Sequence, residues 1–391
     1  MKKLLSILLS TLMICALATP TFAATTVTTE GELQTALNAG GEVVLGNDIV
    51  ATTKLTVPAD STVTLDLNGK TLSMEDSSST TAALIYNQGN LTIKDSSNAT
   101  GKITFATTTP DTSSVPSYAS NTITNVGHLV VEGGTIENTS TSGGACYAID
   151  TAYHSTEVSI TINGGNIIST NNKAIRVVPY STTAKSKLTI NGGVISGSTA
   201  GVQIFNTSTT ANLVEVVVNG GEIKGQYSLY TSNSGPASHA GTSIEINGGT
   251  FDGHLFIYNS KAGSSETDFA NLSINGGEFK KETYIYTKDA SGNTVNIPAI
   301  TGGTFSSDVT NYVVDGYQQN ENGEVVPIEP EQEEPTTPTI TCAGSDDKNC
   351  DGVVTCDEVH GEGWDWNNTT KACEFFGTVK PNVYIVDTAT K

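Results

Sequence analysis

Arginine is almost missing from this chain. Arg176 is its only copy, and 19 basic residues face 40 acidic ones, for a formal net charge of −21. An acidic surface repels nucleic-acid phosphates and anionic lipid, so neither is an expected partner; calcium or a neutral ligand fits better. Aromatic residues are also scarce at 6%, with only 2 Trp. Long apolar runs are confined to the first residues, and no later run is long enough to cross a bilayer. That excludes a retained transmembrane segment. Thr, Ser, Asn and Gly take the place of these residues. They favour short strands and turns over helices.

The opening residues predict export. Lys2 and Lys3 give a positive start, 4–17 an apolar stretch, and Thr21-Phe22-Ala23 a small-residue cleavage site. A signal peptide over 1–23 implies a secreted, extracellular protein. Cysteines are then read in an oxidising setting. Cys342, Cys350, Cys356 and Cys373 crowd the C-terminal region, which suggests two disulfides of open connectivity. Cys146 stands apart and reads as a small buried residue.

A repeat governs the centre of the chain. Paired glycines at 133–134, 164–165, 192–193, 220–221, 248–249, 276–277 and 302–303 begin 31, 28, 28, 28, 28 and 26 residues apart. Weaker copies at Gly69 and Gly101 bring the series to nine. Before the glycines, apolar residues alternate with others, as in Ile160/Ile162, Leu188/Ile190, Val216/Val218 and Ile244/Ile246. After them, Ile136, Ile167, Ile195, Ile223, Phe251, Phe279 and Phe305 form one column. A third strand follows. Three short strands per ~28 residues, without helical spacing, predict an all-β fold: a parallel β-helix of about nine coils. Gly-Gly supplies the sharp corner, through backbone angles that a side chain would oppose. Asn163, Asn191, Asn219, Asn247 and Asn275 precede it, and their amides are placed to hydrogen-bond from coil to coil. Residues 28–40 read as a capping helix with Leu33, Ala36 and Leu37 on one face. The repeat domain is assigned to 24–326.

The segments TVTLDLNGKTLS, LIYNQGNLTIKDSS, the NGG series and GGTFSSDVTNYVVDGY resemble secreted β-helix surface proteins of Gram-positive bacteria. These are similar in fold to the pectate-lyase-like superfamily, and the resemblance implies a right-handed helix. It does not imply one activity, because such folds serve lyases, hydrolases, adhesins and inert stalks.

Residues 327–340 form an acidic Pro/Thr linker, and 341–391 a small disulfide-rich module. Within it, DKNCDGVVTCDE (347–358) places Asp347, Asn349 and Asp351 at positions 1, 3 and 5 of a twelve-residue loop. Gly352 falls at position 6, the Val353 carbonyl at 7 and Glu358 at 12. That is the oxygen set of an EF-hand-type calcium loop. The loop resembles single-loop Excalibur-like or dockerin-like modules, although no second loop accompanies it. Two disulfides and an ion would supply what so small a core cannot.

One column of the third strand is read as facing outward: Tyr86, Thr124, Asp150, Arg176, Gln203, Tyr230, Tyr258 and Tyr286. Phe256 and Tyr284 share that face. A polar-to-aromatic stripe suits a polysaccharide or host glycan, whose rings stack on aromatics while Asp150, Arg176 and Gln203 bond hydroxyls. Stacked Tyr columns also stabilise sheets without any ligand. Asp150 and Arg176, one coil apart, read either as a rung-to-rung ion pair or as the remnant of a lyase site. No second acid accompanies them, and the histidines show no metal or triad spacing. The leading expectation is a non-catalytic adhesin or glycan-binding protein, attached to a cell-envelope component through its C-terminal module. A polysaccharide lyase or hydrolase and a structural spacer are the alternatives.

Overall fold

A computed structural model describes residues 24–76, 83–97, 100–108, 120–141, 146–151, 156–178, 183–206, 213–233, 239–259, 269–289 and 291–329, with the backbone of 364–367 and 372–375. Residues 1–23, expected to be a signal peptide, most of the stretch 327–340 and the 347–358 segment lie outside the described residues. So do Cys342, Cys350 and Cys356.

The chain divides into two units, 1–328 and 329–391. The first is a parallel β-solenoid of about seven turns. Nine copies were read from the glycine series. The last one, at 302–303, contributes only the two-residue strand Thr304–Phe305 and isolated bridges at Ile300.

The strands before the glycines build one ten-stranded sheet. Its register joins equivalent positions of successive copies: Ile160 to Leu188, Leu188 to Val216, Val216 to Ile244. All four are wholly buried. The strands after the glycines and the third strands share a second sheet. Its inward column ends in stacked rings, with Phe251 and Phe279 centroids 4.6 Å apart and Phe279 and Phe305 4.4 Å apart. Each buried aliphatic or aromatic side chain contributes on the order of 1.5–3 kcal/mol.

Three separate strands per coil do not persist throughout. In two successive copies the second and third strands merge into Glu222–Asn233 and Thr250–Asn259. Glycines let the merged strands pack closely. A Cβ on Gly253 would stand 2.5 Å from the Gly225 carbonyl oxygen.

The paired glycines are needed for two different reasons. The second takes positive φ, as at Gly193 (81°). The first faces the coil below, and a Cβ on Gly192 would meet the Asn163 carbonyl at 2.6 Å. Beside this corner runs the asparagine ladder. Asn191 donates to Asn163 Oδ1 at 2.8 Å, Asn219 to Asn191 at 2.8 Å, Asn247 to Asn219 at 3.0 Å and Asn275 to Asn247 at 2.9 Å. The Asn163 amide donates to Glu132 at 2.9 Å, and the Thr301 hydroxyl donates to Asn275.

The helix Glu30–Ala39 begins in a capping box formed by Thr29 and Glu32. It buries Leu33, Ala36 and Leu37 against the first strands. Glu30 ties it to the coil by accepting from the backbone and hydroxyl groups of Thr52 and Thr53. In the second unit, Trp364–Asn367 and Ala372–Phe375 pair antiparallel, with Trp366 opposite Cys373. No helix among the described residues is long and apolar enough to cross a membrane.

Candidate functional site

The third-strand column exists, and its register runs Tyr86, Thr124, Asp150, Arg176, Gln203, Tyr230. Two expectations about it are corrected. The first concerns exposure. Asp150 is 0% exposed, Arg176 4% and Gln203 6%, so this middle stretch is covered rather than open. Tyr147 provides cover: its ring centroid lies 4.3 Å from the Arg176 guanidinium carbon. Beneath it, Arg176 grips Asp150 with two bonds, Nε to Oδ1 at 2.8 Å and Nη2 to Oδ2 at 2.6 Å. Asn121 donates to Asp150 Oδ2 at 3.2 Å and to Thr124 Oγ1 at 3.0 Å. Both carboxylate oxygens are thus occupied, as befits a structural ion pair joining two rungs.

The second correction concerns register. Tyr230 pairs with Phe256 rather than Tyr258, because the longer strand bulges. Lys224 faces Asp252, Tyr227 faces His254 and Leu229 faces Leu255, so two residues are absorbed in two steps. A shift of two keeps every side chain on its own face. From there Phe256 pairs with Tyr284 and Tyr258 with Tyr286.

The bulge gathers the aromatic residues into a two-dimensional patch instead of a line. Phe256 sits at its centre, with ring centroids 5.9 Å from Tyr227, 6.1 Å from Tyr258, 6.1 Å from Tyr284 and 5.8 Å from Tyr286. Tyr258 and Tyr286 lie 4.8 Å apart, and Tyr227 and Tyr230 5.1 Å apart. Tyr284 is 40% exposed, and the other rings are partly exposed. His254 borders the patch 6.5 Å from Tyr284, with Nδ1 2.8 Å from Glu282 Oε2. Lys288 Nζ lies 5.9 Å from the Tyr286 centroid. Burial raises the hydroxyl pKa of Tyr286, and Tyr258 beside it adds to the shift, so the Tyr286 phenol stays a neutral hydrogen-bonding group. Such a surface offers flat apolar faces edged by polar groups, the chemistry that receives a sugar ring.

Where the buried stretch meets the patch, Gln203 and Tyr230 form a junction. Gln203 Nε2 donates to Ser232 Oγ at 2.8 Å, and the Tyr230 hydroxyl bonds the same serine. Gln203 Oε1 is out of solvent and has no hydrogen-bond partner among the described residues. Burial raises the Tyr230 pKa, and it pushes Tyr147 up to about 12.

Tyr227, His254 and Tyr147 are additions to the residues read from the sequence. His254 alternates with Phe256 and Tyr258 on one strand, a period-two signal visible in the sequence. His128 and His254 lie on strands. Cys146 is buried, as expected. The calcium-loop residues Asp347, Asn349, Asp351, Val353 and Glu358 lie outside the described residues. Among those described, no cluster of His, Cys, Asp or Glu could hold a metal ion. Comparison with protein families, curated proteins and solved structures finds no match.

Proposed function

We propose that this protein is exported and acts outside the cell as a non-catalytic glycan-binding protein or surface adhesin. The observation that carries this reading is the patch of Tyr227, Tyr230, Phe256, Tyr258, Tyr284 and Tyr286, contiguous on one sheet face. Six rings held by a rigid solenoid lose little entropy when they meet a ligand. Successive turns, about 4.8 Å apart, present a repeating surface to a repeating polymer. The sugar lies across the rings, and the tyrosine hydroxyls at their edges bond its hydroxyls.

The other parts serve presentation. The helix at 30–39 caps the first coil, the acidic linker spaces the solenoid from its tail, and the tail attaches to an envelope component. In the tail, Cys342, Cys350, Cys356 and Cys373 form two disulfides, and calcium seats in the 347–358 loop.

Retention of the full secreted chain on immobilised polysaccharides tests the reading. Binding is expected for the wild type and is lost in the triple variant Tyr230→Ala, Tyr258→Ala, Tyr286→Ala. Release of unsaturated or reducing sugar from the same panel would mark an enzyme instead. Silence in both assays would leave a structural spacer.

A further inference from the structure

Beside the aromatic patch stands a cation without a counter-charge. Lys173 lies on the strand Lys173–Val177, in register with Ala200, which is itself in register with Tyr227. Two turns of about 4.8 Å therefore separate its backbone from the patch. Its Nζ lies 6.0 Å from the Tyr147 centroid, on the ring that also covers Arg176. Asp150 is the acid in this group, and Arg176 takes it bidentately. Lys94, Lys102, Lys185, Lys187 and Lys224 have carboxylate partners. Among the described residues Lys173 has none within ion-pair distance, and neither have Lys54, Lys70, Lys280, Lys281 and Lys288; of these, Lys173 is the one that shares the Tyr147 ring with Arg176. Burial first, and then the Arg176 charge, lower its pKa, and an anion close to it would favour the charged form again.

We infer that the glycan received by this face is anionic, carrying a carboxylate or sulfate, in place of the neutral ligand that the net charge alone favours, and that Lys173 is the residue that reads that charge. The inference rests on the glycan-binding reading and adds the ligand's charge to it. Lys173 takes the acid group, and the rings from Tyr227 onward stack the rest of the chain.

The test compares matched polymers by affinity electrophoresis of the full chain. Polyglucuronate is run against its carboxyl-reduced glucan, and dextran sulfate against dextran. The wild type is expected to bind an anionic member about tenfold more tightly than its neutral partner, less so as salt rises. The pair that shows the difference identifies carboxylate or sulfate as the group read. Lys173→Gln brings the two members within about twofold while neutral binding persists, and Lys173→Arg keeps the preference. An unchanged melting temperature confirms that these variants fold. Equal binding of charged and neutral polymers by the wild type overturns the inference and leaves the glycan reading standing. A preference that survives Lys173→Gln overturns the role of Lys173. No retention by any polymer removes the glycan reading and this inference together.

Discussion

At the residue scale, Asp150 and Arg176 show what the sequence reveals and what it hides. Their adjacency follows from a spacing of one coil, and the structure pairs them across neighbouring rungs. Their burial does not follow from the repeat. The cover comes from Tyr147, which belongs to a stretch outside the repeated strands. The pair is inside, so its two members are interdependent. Arg176→Met or Asp150→Asn alone is expected to cost roughly 3–5 kcal/mol, because each leaves a charge buried without its partner. Asp150→Leu combined with Arg176→Met should recover most of that loss in urea unfolding. Additive losses in the double variant would refute the structural role. His239 supplies a second residue-scale prediction. It is fully buried, and burial lowers its pKa to about 4 from an ordinary 6.5. Above pH 6.5 both folded and unfolded chains hold it neutral. As pH falls from 6.5 toward 4, only the unfolded chain takes up the proton, so stability declines by about 3 kcal/mol and then levels off. Thermal melts at stepped pH should show this slope, and His239→Gln should flatten it.

At the element scale, the NGG corner was legible because each copy carries the same chemistry. Amide ladder and positive-φ glycine both follow from residue type. The need for the first glycine was not legible, since it arises from a carbonyl in the coil below. A set of interior asparagines escaped the reading as well. Asn87, Asn125, Asn206 and Asn259 are wholly buried, and Asn87, in register with Asn125, donates to its Oδ1 at 2.6 Å. Further along, Val177 pairs with Ile204 and Asn206 lies two residues beyond, so no constant period in Asn marks the set. Glycines that look alike in sequence should therefore respond differently to substitution. Gly221→Ala forces an alanine to φ 85° in a crowded corner and should destabilise by about 1–3 kcal/mol. Gly31→Ala lies in the helix Glu30–Ala39 with open space around its Cβ, and should stabilise by about 0.5–1 kcal/mol. Equal effects in denaturant titrations would contradict the corner geometry.

At the scale of the whole molecule, the solenoid was readable from its period and the shape of the patch was not. Tyr230, Tyr258 and Tyr286 each follow their paired glycines by the same number of residues, so spacing alone predicts a single file. The two-residue bulge after Lys224 displaces Tyr230 onto Phe256 and broadens the file into a surface. Bulges of this kind come from local packing, which a repeat count does not encode. The tail makes its own prediction. After chelation, the full chain should bind one calcium ion in titration calorimetry, with an affinity of roughly 10⁻⁴–10⁻³ M as in extracellular modules, and Glu358→Gln should weaken it. No heat of binding would dismiss the loop as a calcium site.

The most direct test of the account is retardation of the secreted chain in a gel cast with polysaccharide, run beside Tyr258→Ala/Tyr286→Ala at matched melting temperature. The account predicts slowed migration for the wild type and free migration for the variant. Equal migration of the two in every polymer, or appearance of cleaved sugar in the gel, would contradict it.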